Sequence, residues 1–163
     1  MALTAPDANI TALLNGRHIA ALATQNDDGS IHLTAVWYLY DGGKLYVTTS
    51  SRLRKARNIA ARPRASLMVD TRRGGADRGV TAIGRAELLT GDEARAIAQR
   101  IHRRYLSTAA LADPRVGPVF AAFDDVAIRL TPSQWLWWNM ADVDAAYFGG
   151  KISANPGYLL PLE

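Results

Sequence analysis

The sequence predicts a mainly β domain, a closed or nearly closed barrel of about six strands with accessory helices. Three observations carry that expectation. Six stretches read as strands, several rich in β-branched and aromatic residues, and Gly, Asn, Asp or Pro signals punctuate them. Few stretches space their apolar residues as a helix does, and these do not alternate with strands as crossover helices would. No GxGxxG or GxxxxGK(S/T) run occurs, which argues against dinucleotide and P-loop folds.

The elements follow in order. From Asp7 to Asn15, Ile10, Leu13 and Leu14 fall at helical spacing and Gly16 stands as a C-terminal cap. His18 to Thr24 reads as a buried strand, closed by the turn Asn26-Asp27-Asp28-Gly29. Ile31 to Tyr40 reads as one second strand, and Asp41-Gly42-Gly43 turns into a third from Lys44 to Thr49. Leu53, Ala56, Arg57, Ala60 and Ala61 give a short helix, with Ser50 or Ser51 as cap and Pro63 at its exit. Strands follow over Ala65 to Asp70 and Val80 to Leu89, with Gly84 marking a bulge or close approach. Thr71 to Asp77 between them reads as an exposed loop.

Asp92 to Leu106 is the clearest helix: Thr90 or Asp92 can cap it, and Ala94, Ile97, Ala98, Ile101 and Tyr105 line one face. Between Ser107 and Phe123, Pro114, Gly117 and Pro118 interrupt an apolar stretch and leave its type open. Val126 to Trp138 is the last strand, and a Gly- and Pro-rich tail follows. The expected organisation is one domain over 1–163, with a helical insertion near 91–107 and a tail near 142–163 lying over the body or over a partner subunit.

Composition narrows the function classes. The 163 residues include no cysteine, which excludes disulfides, thiolate metal sites and thiol nucleophiles. His18, His32 and His102 show no metal-ligand spacing, so no metal site is assigned. No apolar run is long enough to span a membrane and the N-terminus lacks a signal-peptide pattern, so a cytoplasmic protein without a membrane partner is expected. The net charge of +4 comes mainly from arginine and suits either nucleic acid or ligand phosphates.

The stretch Thr48-Thr49-Ser50-Ser51-Arg52-Leu53-Arg54-Lys55-Ala56-Arg57-Asn58-Ile59 carries the most chemistry. It places hydroxyls at a strand end and four cations in the first turns of a helix, where free N–H groups already make the end positive. An arriving anion reverses that repulsion. A phosphate can accept from the Ser51 or Arg52 amide, from a hydroxyl, and from Arg54 and Lys55. On the residues alone, a solvated basic face and a nucleic-acid contact remain open beside this anion site. The cations cluster at one helix start with no interleaved stacking aromatics, which weighs against nucleic acid.

The succession DGSIHLTAVWYLYDGGKLYVTTSSRLRKARNIAARPRASLMVD, followed by VTAIGRAELL, resembles the flavin-binding split-barrel superfamily related to pyridoxamine 5'-phosphate oxidase. The likeness covers roughly the first 90 residues. The later helix and the tryptophan-rich strand are similar to its small flavin- and deazaflavin-dependent oxidoreductases. It implies an FMN-binding split barrel, a homodimer with F420 or FMN at the subunit interface, and hydride transfer to or from a small organic acceptor. Arg54 and Lys55 would bind the cofactor phosphate, and Val47, Thr48 and Thr49 would meet the ribityl chain or phosphate. Ser51 joins that cradle, and Asn58 would lie near it or only brace the helix. Val36, Trp37 and Tyr38 would run beside the ring, mostly through backbone.

This chain departs from the vitamin oxidases, with Gly79 where they carry Gln after an Arg, and with no Arg-rich C-terminal signature. The resemblance therefore points to another substrate, with an FMN-dependent oxidase and a non-catalytic flavin-binding or sensory protein as alternatives. No paired carboxylates and no Ser/His/Asp order emerge, and no catalytic side chain is assigned. His102 reads as solvated, while Trp37, Trp135, Trp137 and Trp138 suit a ligand wall or an interface core equally. Arg72, Arg73 and Arg78 flank a glycine loop that could close over an anionic substrate or over the acidic tail that F420 has and FMN lacks.

Overall fold

The structure is a computed structural model that describes residues 6–71 and 77–160. Strands β1 (Ala20–Gln25), β2 (Ile31–Val36), β3 (Leu39–Asp41), β4 (Lys44–Thr49), β5 (Arg64–Thr71), β6 (Arg78–Leu89) and β7 (Val126–Asn139) make one antiparallel sheet. Its order is β2-β1-β5-β6-β7-β4-β3. The outermost strands β2 and β3 are thus joined by Trp37 and Tyr38 alone. Three Cα–Cα steps span at most about 11 Å, so the sheet must curl until its edges meet at this corner. The result is a barrel closed on one side by the chain itself.

The single strand expected over Ile31 to Tyr40 is therefore two strands. Tyr38 makes the break: its side chain is fully buried and its hydroxyl lies 2.9 Å from Leu14 O and 3.1 Å from Gly16 O. One proton serves both carbonyls at the end of helix α1 (Ala8–Asn15), and burial pushes the phenol pKa up. Arg104 donates to the neighbouring Asn15 carbonyl at 2.8 Å and sits over the Tyr38 ring.

Alternation along the strands fills the barrel with Leu22, Leu45, Val47, Leu67, Val69, Val80, Ile128 and Leu130. Ile10, Leu13 and Leu14 of α1 join this core, and Asp7 caps that helix by accepting from Ile10 N at 2.8 Å. Helix α2 (Arg54–Ala61) adds Ile59. Helix α3 (Gly91–Tyr105) lies outside the barrel, where Ala94, Ile97 and Ile101 pack with Leu89, Ala127, Tyr46 and Leu39. The ambiguous stretch resolves into two short helices, α4 (Thr108–Ala112) and α5 (Gly117–Phe123). Short helical turns follow β7: Met140–Val143, Asp144–Phe148, Lys151–Ala154 and Pro156–Tyr158. No helix among the described residues is long and apolar enough to cross a membrane.

Two expected caps are corrected. Leu53, not a serine, occupies the N-cap of α2, because Ser51 is bonded elsewhere. Thr90 stands at the N-cap of α3 but makes no side-chain cap bond. The Gly84 expectation holds. The β6–β7 register shifts between Ile83 and Gly84, and a Cβ at Gly84 would stand 2.1 Å from Thr131 O and 2.8 Å from Pro132 Cα. Backbone cannot yield as a flexible side chain does, so Gly84→Ala is expected to destabilise the fold by about 2 kcal/mol or more. A thermal unfolding midpoint lower by roughly 5 °C checks it, and an unchanged midpoint refutes the close approach.

Among the described residues, the other outer half of the sheet is half-buried or exposed. Register carries one row through Ala35, Ala21, Met68, Thr81 and Leu136, and the next through Leu33, Ala23, Ser66, Ile83 and Gln134. Ile31 and Leu33 on its rim are 63% and 66% exposed.

Candidate functional site

The corner that closes the barrel also opens a groove. Trp37 follows β2, Thr48 and Thr49 end β4, and Leu53 and Lys55 come from the start of α2. Phe120 and Phe123 of α5, with Asp124 just after it, form the outer wall. Together with Ile19, Ala35 and Val36 these residues enclose about 320 Å³. Trp37 is fixed as a flat wall: it stacks on Tyr105 at 5.0 Å and on Phe120 at 5.5 Å. Tyr105 is itself held by donating to His18 O at 2.6 Å.

Polar groups meet this wall. The Thr49 hydroxyl is buried and has no hydrogen-bond partner among the described residues. Burial pulls the Lys55 ammonium below the ordinary lysine range, and the Asp124 carboxylate partly opposes that shift. Behind Asp124, His102 Nε2 stands 2.7 Å from Asp124 Oδ2. His102 is 4% exposed, so the expectation of a solvated histidine is wrong. It lies beside Ile101 and one turn from Ala98, on the inward side of α3, and Asp124 supplies the partner that makes burial tolerable.

The residues singled out from the sequence divide among several places. Val36, Trp37, Thr48, Thr49 and Lys55 come together in the groove. Val47 and Tyr38 belong to the barrel core. Ser51 donates its N–H and its hydroxyl to Asp125, both at 2.6 Å, and these bonds hold the Asp125 carboxyl below its usual range. Arg54 turns to the other side of α2, where it lines a second hollow of about 410 Å³ with Arg57, Asn58, Asn26, Asp27 and Asp28. Asn58 braces this side from within, donating to Thr24 Oγ1 at 3.1 Å and Asn26 Oδ1 at 2.9 Å.

Of the tryptophans in β7, Trp135 and Trp137 pack against the core, while Trp138 packs against Gly79, its cross-strand partner. A Cβ at Gly79 would stand 2.5 Å from the Trp138 indole. Arg78 opens β6, whereas Arg72, Arg73 and the rest of the glycine loop at 72–76 lie outside the described residues. Phe120, Phe123, Asp124 and His102 are the site residues that sequence reasoning missed. The buried histidine had one faint signal, its place beside the apolar face of a strongly amphipathic helix.

A family model described as pyridoxamine 5'-phosphate oxidase matches residues 6–139. The chain belongs to the pyridoxamine 5'-phosphate oxidase family. Its curled antiparallel sheet with accessory helices is that family's split barrel, the fold class read from the sequence. Solved structures share the fold. A conserved hypothetical protein from Mycobacterium tuberculosis aligns with a TM-score of 0.69 at 22% identity, over 99% of this chain and 92% of its own. A protein named F420 reductase aligns at 0.61 and 24% identity, over 80% and 98%. A heme storage protein from Vibrio cholerae aligns at 0.62 and 18% identity, over 78% and 91%. Among curated proteins none matches the sequence.

Proposed function

We propose that this pyridoxamine 5'-phosphate oxidase family member is a homodimeric oxidoreductase that holds F420 or FMN in the groove and transfers hydride between it and a small organic acceptor. The observation that carries this reading is the pairing of a flat aromatic wall with a cation and an orphaned hydroxyl. Trp37 and Phe120 offer planar apolar surface, while Lys55 and the unpartnered Thr49 Oγ1 offer the charge and donor that a phosphate takes. A phosphate-bearing planar cofactor fits that donor set. When bound, the cofactor supplies the hydride chemistry.

The chain's own residues then position and enclose. Lys55 and Thr49 anchor the anionic end, Trp37 sets the plane, and Phe120 and Phe123 exclude water. Ala35 belongs both to the groove and to the outer sheet, so a second subunit seated on that sheet would wall the groove's open side. These rows across five strands, apolar except at Thr81, Ser66 and Gln134, support such a seat.

Equilibrium titration of cofactor-free protein with FMN and with F420, under one salt condition, tests the reading. Tight binding of either, with turnover from a matched reductant, is expected. Binding without turnover favours a non-catalytic flavin-binding protein, and binding of neither overturns the reading.

A further inference from the structure

The one polar residue on the buried side of α3 is His102, among Ala94, Ile97, Ala98 and Ile101. Its partner Asp124 is 8% exposed, and Phe120 stands against the imidazole with ring centres 5.4 Å apart, so protein rather than water surrounds the pair. Asp124 nonetheless lines the groove together with Lys55 and acts electrostatically on the Lys55 ammonium. A carboxylate at an anion's seat opposes that anion unless its charge is matched.

The charge this wall offers depends on one proton. With the imidazole protonated, the pair is neutral and Lys55 gives the groove a net positive charge. With the imidazole neutral, Asp124 offsets Lys55 and the groove has no net attraction for an anion. Of the other charged groups on the surrounding elements, Arg100 pairs with Asp41 and Arg129 with Glu87 and Glu93, while Arg52, three residues before Lys55, is exposed and acts on Asp125. Asp125, beside Asp124, is held by Ser51, while Arg104 of α3 is directed to the carbonyl of Asn15 and Arg103 is exposed. β4 contributes the neutral hydroxyls of Thr48 and Thr49.

We propose that the His102–Asp124 pair determines the groove's specificity for anions by coupling binding to a proton: an anionic group seats beside Lys55 as the pair takes up one proton. The proposal rests on the reading above only in naming the anion as a cofactor phosphate. The sign follows from linkage. A pair that holds its proton more tightly in the bound state favours binding at low pH, and the gain is lost as pH rises through the bound-state titration.

Sulfate tests this without a cofactor, because its charge is constant from pH 6 to 9. Cofactor-free protein is titrated with sulfate while the imidazole resonances are followed, then with FMN and F420 by calorimetry in buffers of different ionisation enthalpy. Sulfate is expected to move the His102 resonances toward their protonated positions, and affinity should fall by up to about tenfold per pH unit across that window. Two variants should move in opposite directions. Asp124→Asn is expected to bind sulfate at pH 8 as tightly as the native chain does at pH 6, whereas His102→Gln should bind weakly at both.

Immobile His102 resonances with pH-independent sulfate binding, or no sulfate binding at all, overturn the proposal. That result is read on the native protein, so misfolding of a variant does not mask it. Cofactor bound without movement of the His102 resonances also overturns it while sparing the cofactor reading. Sulfate coupling with neither cofactor binding does the reverse.

Discussion

Lys55→Ala is expected to weaken binding of FMN or F420 by about 10- to 150-fold, the loss of roughly 1.5–3 kcal/mol that accompanies removal of one charged hydrogen bond. Arg54→Ala should have a much smaller effect. The contrast follows from helical geometry: adjacent residues on α2 point about 100° apart, so Lys55 reaches the groove while Arg54 joins Arg57 and Asn58 in the hollow beyond. The Lys55 ammonium is also the partly desolvated one, and an anion beside it would relieve that penalty. Arg54 faces Asp28, whose carboxyl it helps to hold below the usual range after the two bonds from Ser30. Titration of both variants with both cofactors measures the difference, and Lys55→Met controls for the lost aliphatic stem. A larger loss in Arg54→Ala than in Lys55→Ala would move the phosphate across α2 into the second hollow.

Leu33→Asp is expected to raise the dimer dissociation constant by at least about 100-fold and to weaken cofactor binding with it. Leu33 is 66% exposed in the single chain and sits in a row with Ala23, Ser66, Ile83 and Gln134, so a subunit covering this row would bury it. A two-fold interface repeats each substitution, and one unpaired buried charge already costs about 3–5 kcal/mol. Sedimentation equilibrium of the native chain and the variant checks the prediction. A native chain that stays monomeric with cofactor bound would place the partner reading in error, and a variant that stays dimeric would place the interface elsewhere. Coupled loss of dimer and cofactor is the signature of a groove completed by the second subunit, because Ala35 lies on both surfaces.

Much of the secondary structure was legible because its causes are local. The Gly16 cap, the Asp41-Gly42-Gly43 turn, the amphipathic face of α3 and the Gly84 bulge each depend on residues within a turn or a strand of one another. The break at Trp37-Tyr38 was not legible, since β-branched and aromatic residues run through it as through a strand. It is imposed by a distant cause: the barrel edges must meet there, and Tyr38 is anchored on the carbonyls of α1.

The candidate site shows the same division. By itself the sequence determined a mainly β domain with a hydroxyl-rich strand end and a basic helix start, and its resemblance named the family and implied a phosphate site there. It also excluded thiol chemistry, through the absence of cysteine. Tertiary structure alone decided which cations share a cavity, because the direction of each side chain depends on how α2 is rotated against the sheet. It alone brought Asp125 onto Ser51 across 74 positions and Asp124 onto His102 across 22. Periodicity reports which face of an element is apolar, but it carries no information about which charge another element will place opposite that face.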